Sequence, residues 1–240
     1  MLGVPPVNAF VLQRTPYREN SLLLRLFMPE YGQTMAVWRG TATTHLYQPY
    51  HFTLAIKDDW ATVRSVELAG KVLHLRGPSL YMALYLNELL GLLLPRWAPA
   101  TELFGAYYAT LRRLEAGEAT EPLLRFFERR LLEQLGVGID FQRDTAGHTI
   151  LSDTRYDFDG RNGFVPMAEG SFSGAQLAAV EHNQWQVPGA LLAAKRLFRA
   201  ALAVQLDGKP LRSRAYVSPL STGDHSPRAD TTTPEWKAAL

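Results

Sequence analysis

The sequence contains no cysteine. That removes disulfides, thiolate zinc sites and cysteine nucleophiles together. It also lacks any apolar run of the roughly 18–20 residues that a membrane-spanning helix needs. The longest candidate, Leu80 to Leu94, is broken by Asn87 and Glu88. The opening Met1-Leu2-Gly3-Val4-Pro5-Pro6 has no basic stretch leading into an apolar one, so nothing there reads as a secretion signal and a cytoplasmic location is expected. Net charge is small, +2, too little for an overall field that draws in nucleic acid. The histidines (His45, His51, His74, His148, His182 and His225) are scattered, with no two at helical ligand spacing.

What is present is an ordinary globular composition, 47% hydrophobic and 20% charged over 240 residues, enough for one large core or two small ones. The first seventy residues read as strands. Val7 to Thr15, Ser21 to Met28, Tyr31 to Trp38, Tyr50 to Lys57 and Trp60 to Leu68 are β-rich and separated by turn residues, Asp58-Asp59 among them. Five short strands in series predict a small closed barrel, with an SH3-like barrel or a sandwich as near alternatives. From Pro78 the period changes. Ser79 to Leu94 is apolar on nearly every side and reads as a buried helix. Thr101 is expected to cap a helix to about Glu115, and Pro122 to open another that ends at Gly136. In that helix Leu124, Phe127, Leu131 and Leu135 form a stripe, with Arg125, Arg129 and Arg130 off it and Glu121 placed to pair with Arg125. Arg155 to Phe158 and Gly163 to Val165 flank a hairpin turn. Ser173 and Gln176 make a capping box, a last helix runs from Pro188 to Leu206, and the stretch from Ser218 has no periodicity.

Enzyme signatures are weak. Gly208-Lys209 is followed by Pro210 and lacks the upstream glycine of a phosphate loop. Asp157, Asp159 and Asn162 are out of register for a calcium loop. The basic residues tell more. Residues 1–77 hold eight Lys/Arg against five acids, and residues 195–217 hold six against Asp207, whereas residues 78–150 hold seven against nine. Tyr17, Tyr31, Trp38, Tyr47, Tyr50 and Trp60 are interleaved with the first basic region, as rings for unpaired bases or as barrel core.

The order of local motifs resembles the RecO family. The resemblance runs through Ala9-Phe10-Val11-Leu12, Tyr17-Arg18-Glu19-Asn20-Ser21-Leu22-Leu23-Leu24 and Gln48-Pro49-Tyr50. It continues through Leu84-Tyr85-Leu86-Asn87-Glu88-Leu89-Leu90, Glu121-Pro122 with Leu124-Arg125-Phe126-Phe127-Glu128, and Ala194-Lys195-Arg196. It ends with Gly208-Lys209-Pro210-Leu211-Arg212-Ser213-Arg214. The resemblance implies an α+β protein: a five-stranded OB-fold barrel over residues 1–77, a mainly helical domain over 78–217 with an inserted turn and hairpin region at about 138–170, and a disordered tail over 218–240. It implies binding of single- and double-stranded DNA, strand annealing, and complexes with RecR and with the C-terminal tail of single-stranded-DNA-binding protein that help load RecA. It implies a nucleoid-associated protein and brings no catalytic residues; with no cysteine in the chain, no metal or cofactor is expected.

The chain departs from that pattern twice. Many relatives carry four cysteines as a zinc site in the turn-rich region; here there are none, so packing must hold it. Relatives also tend to have a longer basic loop after the third strand, where this chain keeps only Arg39. The candidate DNA contacts are therefore Arg14, Arg18 and Arg39 on the barrel and Lys195, Arg196, Arg199, Lys209, Arg212 and Arg214 toward the C-terminus, with the second set expected to outweigh the first. Arg125 is the matching position for the partner tail's carboxylate, and Arg125→Ala is expected to leave thermal stability nearly unchanged. Two rivals remain: an adaptor of the same fold with little DNA affinity, and a metal-dependent hydrolase using Asp157 and Asp159.

Overall fold

A computed structural model describes residues 2–3, 6–40, 43–57 and 59–214. Five strands, β2 (Val7–Pro16), β3 (Leu22–Met28), β4 (Gly32–Trp38), β5 (Pro49–Lys57) and β6 (Trp60–Leu68), close into a barrel in the order β5-β2-β3-β4-β6, with β6 returning to β5. All pairings are antiparallel except β4 with β6, the connectivity of an OB-fold. A two-residue strand β1 (Leu2–Gly3) adds to the outside of β5. The tail from Ser218 and the Asp58 half of the Asp58-Asp59 turn lie outside the described residues.

Period-two alternation decides what the barrel encloses. Leu24, Leu26, Met28, Ala36, Trp38, Phe52, Leu54, Ala61 and Val63 turn inward and form one core. Phe10, Leu12 and Phe27 leave the outside of the same strands and join the core of the helices instead. Phe10 meets Phe104 at 5.2 Å and Tyr107 at 4.9 Å between ring centroids, and Phe27 meets Phe104 at 5.3 Å.

The helices are α1 (Pro78–Leu93), α2 (Thr101–Glu115), α3 (Thr120–Gln134), α4 (Gly174–Glu181) and α5 (Ala190–Leu206). Gly117 and Gly136 end α2 and α3 with φ of +79° and +73°, a conformation in which a Cβ is strained. Two expectations change. Helix α1 is not buried all round: Met82, Ala83, Tyr85, Leu86, Leu89 and Leu90 are inside, but Leu80, Tyr81 and Leu84 are exposed. Its apolar surface exceeds what the barrel and α2, α3 and α5 cover. Thr101 is the first residue of α2 rather than its cap. Its hydroxyl instead donates to the Pro29 carbonyl, beside the Ala100 N–H that donates to the same oxygen at 2.8 Å.

These contacts tie the α1–α2 connection to the β3–β4 turn. The Gln33 side-chain amide donates to the Leu90 and Leu94 carbonyls at 3.1 and 2.9 Å, and so grips the C-terminal end of α1. Asn87, buried in α1, donates to Leu12 in β2 and accepts from the Tyr107 hydroxyl. The region after α3 forms a small sheet, β8 (Gly163–Pro166), β7 (Arg155–Asp159) and β9 (Phe172–Ser173). Phe141, Tyr156, Phe158, Phe164 and Phe172 pack together there, so aromatic packing holds the region. Asp144 accepts from the N–H groups of Ala146 and His148. Burial pushes its carboxyl up, and those N–H groups outweigh that and hold it below its ordinary range. The capping box at the head of α4 is complete: Ser173 Oγ accepts from the Gln176 N–H, and the Gln176 side chain accepts from the Ser173 N–H.

Candidate nucleic-acid interface

On the barrel, Arg14, Arg18 and Arg39 are all exposed. Register places them together: Pro16 pairs with Leu22 and Leu22 with Trp38, so Arg18 in the β2–β3 turn and Arg39 after β4 lie at one end of the barrel, with Arg14 just below. Arg18 has φ of 50° and its guanidinium lies 5.2 Å from the centre of the Tyr17 ring. None of the three is in an ion pair among the described residues. Of the six interleaved rings, Trp38, Tyr47 and Tyr50 are core, Tyr17 and Tyr31 are half-buried, and Trp60 is 47% exposed.

The C-terminal basic cluster divides. Arg196, Lys209 and Arg212 are exposed. Lys195, Arg199 and Arg214 turn inward. Lys195 pairs with Glu121 of α3 at 2.8 Å, and with Arg199 and Arg214 it lines a small enclosed cavity whose other walls include Tyr85, Leu124 and Arg125. The shared face of Lys195 and Arg199, expected to meet phosphates, thus meets α3. Behind it lies a buried network. Arg125, 3% exposed, pairs at 2.8 Å with Glu128, which is 0% exposed and accepts from the Tyr85 hydroxyl at 2.6 Å. The expected Glu121–Arg125 pair does not form, because Arg125 reaches along the buried side of α3 to Glu128 and Glu121 is left to Lys195. Burial pushes the Glu128 carboxyl above its ordinary range, against the pull of Arg125 and the Tyr85 hydroxyl. Burial, then Glu128, raises Tyr85 well above the usual phenol range. Four cations (Arg125, Lys195, Arg199 and Arg214) converge with two acids (Glu121 and Glu128). Arg125 Nε and Nη1 and Arg214 Nη2 remain buried without hydrogen-bond partners. Sequence reasoning missed this network, since burial of Glu128 depends on α1 and α5 closing over α3.

Next to the network, Trp185, Val187, Pro188, Leu191 and Leu192 line an apolar groove of about 410 Å³ that ends at Lys195 and Glu121. The segment after α5 is anchored to α1: the Glu88 carboxylate accepts from the N–H groups of Arg212 and Ser213 at 2.8 and 2.9 Å, and from the Ser213 hydroxyl. The carboxylates of the hydrolase reading are already engaged. Asp157 accepts from the Ser171 N–H, and Asp159 from the Arg161 N–H and the Asn162 amide. Among the described residues, no three His, Cys, Asp or Glu are grouped to hold a metal ion. Among the described residues no helix is long and apolar enough to cross a membrane.

A closed barrel with an exposed cationic end, joined to a helical body that carries an ionic network beside an apolar groove, places the chain in the OB-fold class with a helical second part. Residues 75–215 match the family model described as recombination protein O C terminal. The chain is 42% identical over 213 residues to the DNA repair protein RecO of Pseudomonas aeruginosa strain LESB58, covering 85% of this chain and 91% of that protein. It is 41% identical over 217 residues to the protein of that name from Pseudomonas putida GB-1, covering 87% and 95%, and 43% identical over 214 residues to that of Stutzerimonas stutzeri A1501, covering 86% and 90%. The chain belongs to the RecO family, and its role lies in DNA repair and recombination.

Proposed function

We propose that this protein is a non-catalytic recombination mediator. It binds single- and double-stranded DNA, anneals complementary strands and, with RecR, helps load RecA onto DNA coated by single-stranded-DNA-binding protein. The observation that carries the DNA-binding part is the exposed, unpaired state of Arg14, Arg18 and Arg39 at one end of the barrel, supplemented by Arg196, Lys209 and Arg212. Phosphate neutralisation needs cations of this kind, with no acid holding them. With about four to six phosphate contacts, log K for single-stranded DNA against log salt should slope at roughly −3 to −4. A flat plot, or no binding at low salt, would favour an adaptor with little DNA affinity, a reading that the short connection after Arg39 also favours.

The acidic, apolar tail of single-stranded-DNA-binding protein has its best fit at the Trp185–Leu192 groove. The groove suits an aromatic side chain, and the cation-rich network behind Lys195 suits a terminal carboxylate. In this reading Arg125 acts from within the network. Its two unpartnered nitrogens support that role, and its pairing with Glu128 means that Arg125 is not a free guanidinium at an open mouth. Titration with the tail peptide tests it: Leu192→Glu, at an exposed position, should abolish tail binding while leaving the DNA titration unchanged. Wild-type affinity in that variant would place the tail elsewhere.

A further inference from the structure

One outward row of side chains crosses the five strands of the barrel. Register pairs Gln13 with Arg25, Arg25 with Met35, Met35 with Trp60, and Trp60 with Lys57. The neighbours of these residues along β3, β4 and β6 (Leu24, Leu26, Ala36 and Ala61) point into the core, so Arg25, Met35 and Trp60 face out. Helix α1 covers the β3 end of the row, where Arg25 donates to the Gly91 carbonyl. The rest is open: Met35 is half-buried, Lys57 is exposed, and Trp60 is the most exposed of the barrel's large apolar side chains among the described residues. Over Trp60 lies Arg96, from the α1–α2 connection. Its guanidinium is 6.0 Å from the ring centre and donates at 2.6 Å to the carbonyl of Asp59. Arg96 is held there by bridges to Gly32 and Gln33.

Two features call for a ligand. An indole this exposed presents apolar surface to water, and Arg96 lies over one face of the ring while the residue stays 47% exposed. The cations around it are also unbalanced. No acid pairs with Arg25, Lys57 or Arg96 among the described residues, and Asp59 turns its carbonyl rather than its carboxylate toward Arg96. Burial, then the neighbouring Arg96, pushes the Arg25 guanidinium below its ordinary range. From β3 to β5 the row spans three strand spacings, about 14 Å.

We propose that Trp60, Met35, Lys57 and Arg96 form a contact site for single-stranded nucleic acid, in which an unpaired base stacks on the Trp60 indole while Arg96 and Lys57 take the flanking phosphates. The site lies away from the Arg18–Arg39 end of the barrel, so a strand bound at both would run along the barrel wall. It deepens the DNA-binding reading above and rests on it. Stacking suits this function because every base has a face and none is selected. Duplex DNA, whose bases are stacked on one another, gains only the phosphate contacts.

The test uses the full chain and a labelled oligothymidylate at low salt, with a duplex of the same length alongside. Trp60→Ala should weaken single-strand binding about fivefold to a hundredfold, the effect of removing one stacking ring, and leave duplex binding within about twofold. Trp60→Phe keeps a ring and should restore most of the single-strand affinity. The indole fluorescence quenched on adding oligothymidylate to the wild type should be missing from Trp60→Phe. Arg96→Gln should weaken both DNAs and lower the salt slope by about 0.7 to 0.9, one phosphate contact. If the wild type binds DNA and Trp60→Ala binds the single strand as well as it does, the site is overturned and the DNA-binding reading stands. If the wild type binds neither DNA, both fall. If Trp60→Ala loses single-strand and duplex binding equally, with Trp60→Phe no better, the ring is structural and stacking is excluded. If the Trp60 variants keep DNA affinity and lose capture of RecR, the surface belongs to a protein partner instead.

Discussion

The barrel and the helical body use their positive charge in opposite ways. At the barrel end Arg14, Arg18 and Arg39 stand in water, in no ion pair among the described residues. In the helical body half of the basic cluster is folded inward: Lys195 on Glu121, Arg199 and Arg214 around Arg125 and Glu128. A surface cation contributes little to stability and is available to a ligand. A buried one is bound into the fold and cannot be removed without exposing its partner's charge to an apolar surrounding. Charge counted along a sequence does not separate these cases. The +5 balance of residues 195–217 suggested the stronger DNA surface, yet only Arg196, Lys209 and Arg212 of that cluster are exposed.

The sharpest test of this contrast is Arg125→Ala. Leaving Glu128 buried and unpaired should cost about 3–5 kcal/mol, which replaces the expectation that stability would be nearly unchanged. The loss should depend on pH. Glu128 has a folded-state pKa raised above its ordinary value, so its contribution is fully present below the ordinary carboxylate range and is lost as pH rises through the folded value. Removing Arg125 takes away a downward pull, raises that value further, and should make the variant's deficit larger at neutral than at mildly acidic pH. Urea unfolding at the two pH values measures it. Adding Glu128→Gln should recover most of the neutral-pH loss; an equal deficit at both pH values would mean that Glu128 is not the group left stranded.

The next effect compares three charge reversals. Changing Lys195, Arg196 and Arg199 to Glu sets a carboxylate against Glu121 and Glu128, and should lower the melting temperature by several degrees at about 2 kcal/mol or more. Changing Arg196, Lys209 and Arg212, or Arg14, Arg18 and Arg39, should leave it within about 0.5 kcal/mol. Each exposed trio should reduce the salt slope for single-stranded DNA by about 2, at roughly 0.7 per phosphate, with the barrel trio losing more affinity. The reverse ranking would move the main DNA surface to the C-terminal cluster, as its charge balance alone suggested. A smaller change, outside both regions, calibrates the scale: Ser173→Ala removes the capping box of α4 and should cost about 1 kcal/mol, read from the same urea curves, with DNA binding untouched.

Much of the fold was legible because it is decided locally. The five strands, the 159–163 hairpin turn, the Gly136 stop and the Ser173–Gln176 box each rest on residues a few positions apart, and each forms within a residue or two of expectation. The same holds for Arg129, which reaches Glu133 at i+4 at 3.0 Å. Thr101 fits less well: a barrel carbonyl, Pro29, competes for its hydroxyl, and no local pattern foretells a partner 72 positions away.

The amino-acid sequence by itself determined the barrel's alternation, the helix ends, the absence of thiolate ligands and the family. The tertiary structure alone decided which charges and rings are available. Arg125 has Glu121 at i−4 and Glu128 at i+3, equally plausible along a helix; it takes Glu128 because α1 and α5 bury that side of α3 and bring Lys195 to Glu121. Trp38 and Trp60 both sit in alternating strands, yet one is core and the other 47% exposed, because a strand has two faces and closure of the sheet chooses which becomes the inside. Burial is a property of how elements meet, and a local pattern carries the alternation without the choice.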